Sequence, residues 1–217
     1  MHAMKVGFIA GLMVMALAGS AAASEPVRVI TDEAGDANGL ANNPGPVTVQ
    51  ASTPASDASL DLTAVSLWRD QTALNIRFEL SAAPDPTGPE SVISLVSSGV
   101  CPIYYSVALG RLNPTDPPAM IGMVNGRPCG GLLYSEGITT AIDGSSVVLR
   151  MPFTVHGVPA PGAVMSDLLA QTQLGSIVDV TTGQSSPDVF LSEPTGPLVD
   201  ATATGRDYTV PDADPAS

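Results

Sequence analysis

The sequence predicts an all-β protein, an antiparallel β-sandwich, and three observations carry that prediction. Short apolar segments with period-two alternation recur about every ten residues, as sandwich strands do. The 21 glycines and 20 prolines fall mostly between those segments, where the chain must turn. No segment sustains the 3.6-residue apolar period of a convincing long helix.

The chain opens with Met1-His2-Ala3-Met4-Lys5, an apolar run from Val6 to Ala18, and then Gly19-Ser20-Ala21-Ala22-Ala23-Ser24. A positive start, a short apolar run and an A-x-A site make a secretory signal peptide over residues 1–23, cleaved after Ala23. The run is short of the roughly 20 apolar residues a spanning helix needs, and no later segment supplies them. An exported chain is expected, secreted and extracellular, with one domain over residues 24–210 and a flexible tail over 211–217. The formal net charge is −13, and losing Lys5 makes it one unit more negative. Such acidity argues against nucleic acid, whose phosphates demand clustered Lys and Arg.

Val27 to Thr31 (VRVIT) is β-branched and alternating, an opening strand. The acidic turn-rich segment Asp32 to Gly39 follows, and Val47 to Gln50 suggests a small strand after it. The clearest stretch is Ala58–Ala82, ASLDLTAVSLWRDQTALNIRFELSA, which reads as a hairpin. Leu74, Ile76, Phe78 and Leu80 share one face, and Asn75, Arg77 and Glu79 the other. Val65 and Leu67 point to the core, while Leu60 and Leu62 have the opposite parity. A β-bulge near Thr63-Ala64 accounts for the switch. Arg69-Asp70-Gln71-Thr72 makes the reversal. Two strands alone leave an apolar face wet, so the rest of the chain must supply a second layer.

Pro84 to Pro89 is a loop, since its prolines suit neither helix nor inner strand. Ser91–Val96 and Val100–Leu109 are the next strands, with Tyr105, Val107 and Leu109 on one face. Ala119–Val124 and Leu132–Ser135 follow. Asp143-Gly144, between Ile138–Ile142 and Val147–Phe153, signals a second hairpin. Val147, Leu149, Met151 and Phe153 should face the core. Val164–Leu174 fits a short helix or a bent strand, and its neighbours favour strand. Ile177–Thr181 and Asp207–Val210 complete the set. The two cysteines, Cys101 and Cys129, allow one intramolecular pairing in an exported chain, so one structural disulfide is expected.

The residues that could carry chemistry are few. His156 is the one histidine beyond the signal, no Gly-x-Ser-x-Gly elbow exists, and no free thiol is expected. A nucleophilic enzyme and a histidine-rich zinc site are therefore not expected. The 21 acidic residues always offer carboxylate pairs, yet most lie beside Pro and Gly, where turn formation explains them. The segment DEAGDANG offers Asp32, Asp36 and Asn38 as oxygen ligands for calcium, with Gly35 and Gly39 to fold the backbone. It lacks the spacing of an EF-hand loop, and an Asx-rich turn explains the same residues without an ion. Trp68, the single tryptophan, has the parity opposite to Val65 and Leu67. It is the candidate ligand-binding residue, able to stack on a sugar ring or meet a protein partner, or else to pack beneath a loop.

Three segments together, DEAGDANG, DLTAVSLWRDQTALNIRFEL and the closing GRDYTV, resemble the DOMON-like sandwiches of exported bacterial proteins, which include family-nine carbohydrate-binding modules. The resemblance runs from Val27 to Val210. It implies a jelly-roll-like sandwich, often calcium-stabilised and sometimes sugar-binding, with Asp32 and Asp36 as ion ligands. The chain departs from the sugar-holding members, which clamp the ring between two aromatic side chains, for it has one tryptophan, and Tyr104, Tyr105, Tyr134 and Tyr208 have no evident place beside it. Haem- or flavin-carrying relatives use Met and His ligands, which leaves ligand type open. The expectation is a non-enzymatic exported domain that binds extracellular polysaccharide, with calcium as an optional cofactor. The alternative is a structural or interaction module whose partner is a cell-surface protein, and a third reading is a secreted enzyme using loop carboxylates.

Overall fold

The computed structural model describes residues 23–35, 58–88, 90–98, 102–110, 117–125, 133–174, 198–202 and 205–212, and every regular element among them is a β-strand. In chain order these are β1 (Val27–Thr31), β2 (Leu62–Arg69), β3 (Ala73–Leu80), β4 (Ser91–Ser97), β5 (Ile103–Gly110), β6 (Ala119–Asn125) and β7 (Leu133–Tyr134). There follow β8 (Thr139–Asp143), β9 (Ser146–Pro152), β10 (Val164–Met165), β11 (Leu168–Leu174), β12 (Leu198–Ala201) and β13 (Tyr208–Thr209). The expected strands Val47–Gln50 and Ile177–Thr181, and both cysteines, lie outside the described residues.

Two antiparallel sheets pack face to face. One has the order β1-β2-β3-β9-β8 and the other β12-β11-β4-β5-β6-β7, while β10 and β13 form a small ribbon. The core between them follows the alternation in the sequence. Leu74, Ile76 and Phe78 from β3 and Val147, Leu149 and Met151 from β9 are fully buried. They meet Ile93 and Leu95 of β4 and Tyr105, Val107 and Leu109 of β5 in one hydrophobic cluster. Each such side chain contributes roughly 1.5–3 kcal/mol by leaving water.

The parity switch in β2 is a bulge. Leu62 pairs with Leu80 and Ala64 with Glu79, which leaves Thr63 as the extra residue. Its hydroxyl donates to the Glu79 carbonyl at 3.2 Å. The second hairpin turns one residue later than expected: Asp143 pairs with Ser146, so Gly144-Ser145 forms the turn. Gly144, at φ 63°, takes the left-handed conformation such a turn demands. Val164–Leu174 is strand, bent where Asp167 adopts φ 48° between β10 and β11. Aspartate tolerates that conformation better than most residues.

Two features tie the layers together. Gly122 of β6 faces the other sheet so closely that a Cβ there would lie 2.5 Å from Leu149 Cδ1 and 2.6 Å from Ile138 Cγ2. At one end of the sandwich, the buried Arg69 guanidinium donates to the Asp70 and Pro211 carbonyls at 3.1 and 3.0 Å. It lies over the Phe153 ring, 5.6 Å from the centroid. The backbone of Arg69 holds Ser24: the Ser24 N–H donates to the Arg69 carbonyl at 2.9 Å, and the Arg69 N–H to Ser24 Oγ at 2.9 Å. Pro211, which the sequence reading put at the start of the tail, is thereby held at the end of the sandwich.

Candidate functional site

Period-two alternation puts one set of side chains in the core and the other on the outer face of the five-stranded sheet. On that outer face, cross-strand register aligns Trp68 with Asn75 and Asn75 with Arg150. The next row aligns Arg28, Ser66, Arg77 and Val148. A third places Glu79 beside Ser146, which pairs with Asp143. One half-buried indole thus stands in a field of hydrogen-bonding side chains.

Ion pairs hold those side chains in place. Arg28 bridges to Glu79 at 2.8 Å, Arg77 to Asp143 at 2.9 Å, and Arg150 to Asp70 at 3.1 Å. The Arg77 guanidinium also lies over the Trp68 ring, 5.9 Å from its centroid. Asp70 is the most heavily engaged group. Its Oδ1 accepts the Thr72 and Ala73 N–H groups at 2.8 and 2.9 Å, which closes the β2–β3 turn. Burial tends to raise its carboxyl, but the Thr72 N–H, Arg150 and Asn75 together outweigh that and bring it down to about 2.

The acidic segment after β1 behaves differently. Asp32 Oδ1 accepts the Glu33 N–H at 3.1 Å, and the Asp32 N–H donates to the Thr63 carbonyl at 2.9 Å. Asp36 and Asn38, the other expected ion ligands, lie outside the described residues, as do Cys101 and Cys129. Among the described residues, no three His, Cys, Asp or Glu side chains group as a metal site. His156 lies exposed in the loop after β9. Burial pushes up the phenols of Tyr105 and Tyr208, and for Tyr208 the Ser24 hydroxyl and the Arg69 charge oppose the shift.

Neither a protein-family model, nor a curated protein, nor a solved structure matches this chain. Its chemistry has to be read from its own residues. Among the described residues, no helix is long and apolar enough to cross a membrane.

Sequence reasoning missed Asp61 and Asp200, which are only 2 % and 5 % exposed. Asp200 Oδ2 accepts the Leu62 N–H at 2.7 Å, just before the bulge. Asp61 Oδ2 accepts the Gly35 N–H at 2.6 Å and the Ser81 hydroxyl. Asp61 reads in the sequence as the polar member of an alternating segment. A signal was present in the apolar residues on both sides, Leu60 and Leu62, which leave an aspartate between two buried positions.

Proposed function

We propose that this protein is an exported, non-enzymatic domain that binds extracellular carbohydrate on the outer face of the sheet β1-β2-β3-β9-β8. The observation that carries the reading is Trp68, which stands half-exposed on that face with the half-exposed Arg77 and Arg150 on the same face. An indole offers an apolar plane to the C–H face of a sugar, and guanidinium groups donate to its hydroxyls. Preorganisation supports the same reading, because Arg77 and Arg150 are already held by Asp143 and Asp70. In this proposal the sandwich is jelly-roll-like and closed by a Cys101–Cys129 disulfide, and residues 1–23 direct export.

The test is retention of the purified protein on a panel of insoluble polysaccharides, with calcium and with EDTA. Retention on at least one polymer is expected, and Trp68→Ala should weaken it about three- to tenfold. No retention on any polymer would discard the carbohydrate reading.

A second reading, an interaction module for a cell-surface protein, draws on the Arg77 guanidinium over the indole ring. That side chain occupies part of the plane a sugar would use. Stacked Trp–Arg pairs are also common anchors at protein interfaces.

A further inference from the structure

A sheet that does not close leaves its outermost strands with unpaired backbone groups, and proteins usually blunt those edges with charge, bulges or brevity. Three of the four edges of the two large sheets follow that habit. β1 carries Arg28 and a break in register against β2, β12 carries Asp200 and a break in register against β11, and β7 has two residues. β8 does not. It pairs with β9 without interruption from Thr139 to Asp143, and Thr139 to Ile142 hold no charge, proline or glycine. Thr139, Ala141, Ile142 and Asp143 are exposed. Ile142, at 41 %, is one of two large apolar side chains left exposed among the described residues.

The direction of the free backbone groups follows from the turn. Gly144, at φ 63° in the first of two turn positions, makes a tight hairpin turn whose flanking residues exchange both backbone hydrogen bonds. Asp143, and by alternation Ala141 and Thr139, thus bond to β9. Thr140 and Ile142 aim their N–H and C=O groups at the open side, where no described strand lies. Side chains alternate as well. Thr140 and Ile142 lie opposite the core residues Leu149 and Val147, and Thr140 Oγ1 donates to the Met120 carbonyl at 3.4 Å. Thr139, Ala141 and Asp143 share the outer face with Trp68.

We propose that β8 pairs antiparallel with β8 of a second copy of this chain, joining the two five-stranded sheets edge to edge. The strand is complementary to itself about Ala141. In that register Thr140 of one chain and Ile142 of the other exchange backbone hydrogen bonds. Ala141 meets its own copy in the closer, non-hydrogen-bonded kind of pair, where a methyl group fits. Asp143 falls opposite the Thr139 hydroxyl, a donor, and not opposite another carboxylate, while Arg77 already offsets its charge. Ile142 leaves water against the Thr140 side chain across the pair. Both outer faces, each with its Trp68, turn to the same side. Five residues per chain bury less than a permanent dimer needs, so a reversible dimer with a Kd of about 10–500 µM is expected. The pairing stands independently of the carbohydrate reading, since either can fail while the other holds.

Sedimentation equilibrium of the purified protein, from about 1 µM to about 1 mM, tests this. Ile142→Lys puts a charge on the inward side of the edge, and should weaken the dimer at least about tenfold while Tm stays within about 3 °C. Ala141→Cys should cross-link to its copy under mild oxidation, because the paired Cα atoms would lie about 4.5 Å apart. Thr139→Cys, about 14 Å from its copy in the same register, should not. A chain that stays monomeric at the highest concentration overturns the proposal and leaves the edge to an extended segment of some other protein. A dimer that Ile142→Lys leaves intact overturns it too, as does equal cross-linking of the Ala141→Cys and Thr139→Cys proteins.

Discussion

Asp70 shows how much a single turn residue can hold. It caps the β2–β3 reversal through two backbone N–H groups and anchors Arg150 from β9. With its folded carboxyl near 2 against an ordinary 3.8, its contribution is full above pH 4 and fades as pH falls through 2. Asp70→Asn should therefore cost about 1–2 kcal/mol at pH 7 in urea unfolding, with the gap to the parent closing near pH 2. The sequence made the turn itself legible, because Arg69-Asp70-Gln71-Thr72 separates two alternating runs. It did not reveal Arg150, which lies 80 positions further on. Trp68 was legible in the same way: parity gave its outward direction, but nothing local announced Arg77 above its ring. Asp61 was legible only as an aspartate between two apolar residues, for its bonds to Gly35 and Ser81 depend on segments that meet in the fold.

The strands themselves were the most readable level. Period-two patterns located β1 to β9 within a few residues, and even the bulge at Thr63 followed from a change of parity. The exceptions have physical causes. Strand β12 escaped notice because Leu198-Val199-Asp200-Ala201 does not alternate with period two, and its pairing with β11 defines it more than its own pattern. The second hairpin turned one residue late because Asp143 extends β8 to reach Arg77. Gly122 drew no notice in the sequence, yet its missing side chain is what lets Leu149 and Ile138 approach. Adding a methyl there should force the sheets apart. Gly122→Ala is expected to lower stability by about 1–3 kcal/mol, measured by thermal or urea unfolding, with no change in polysaccharide retention.

At the scale of the molecule, Arg69 links regions that lie far apart in the chain. Its backbone grips Ser24 and its guanidinium grips Pro211, while Phe153 supports it from below. Arg69→Ala should leave the Asp70 and Pro211 carbonyls without the guanidinium donor, keep the backbone bonds to Ser24, and lower stability by about 2–4 kcal/mol. Limited proteolysis should then release the segment around Pro211 while the segment around Ser24 stays protected, where the parent protein resists at both. Protection of Pro211 in the variant would show that the guanidinium does not hold it. Alternation and turn residues made the all-β sandwich legible, but they gave no hint that Arg69 would meet both Ser24 and Pro211, because that junction depends on where two distant segments finish.

The same junction bears on how the chain order relates to the shape. Ser24 and Pro211 both bond Arg69, one its backbone and the other its side chain, so a short peptide bridge between them would turn the fold into a closed ring. Opening that ring at the exposed Gly144-Ser145 turn would give a polypeptide that begins in β9 and ends in β8, with every strand neighbour kept. For this architecture the position of the ends is an incidental property. A larger protein could carry the sandwich as an insert, entering and leaving beside Arg69, without rearranging either sheet.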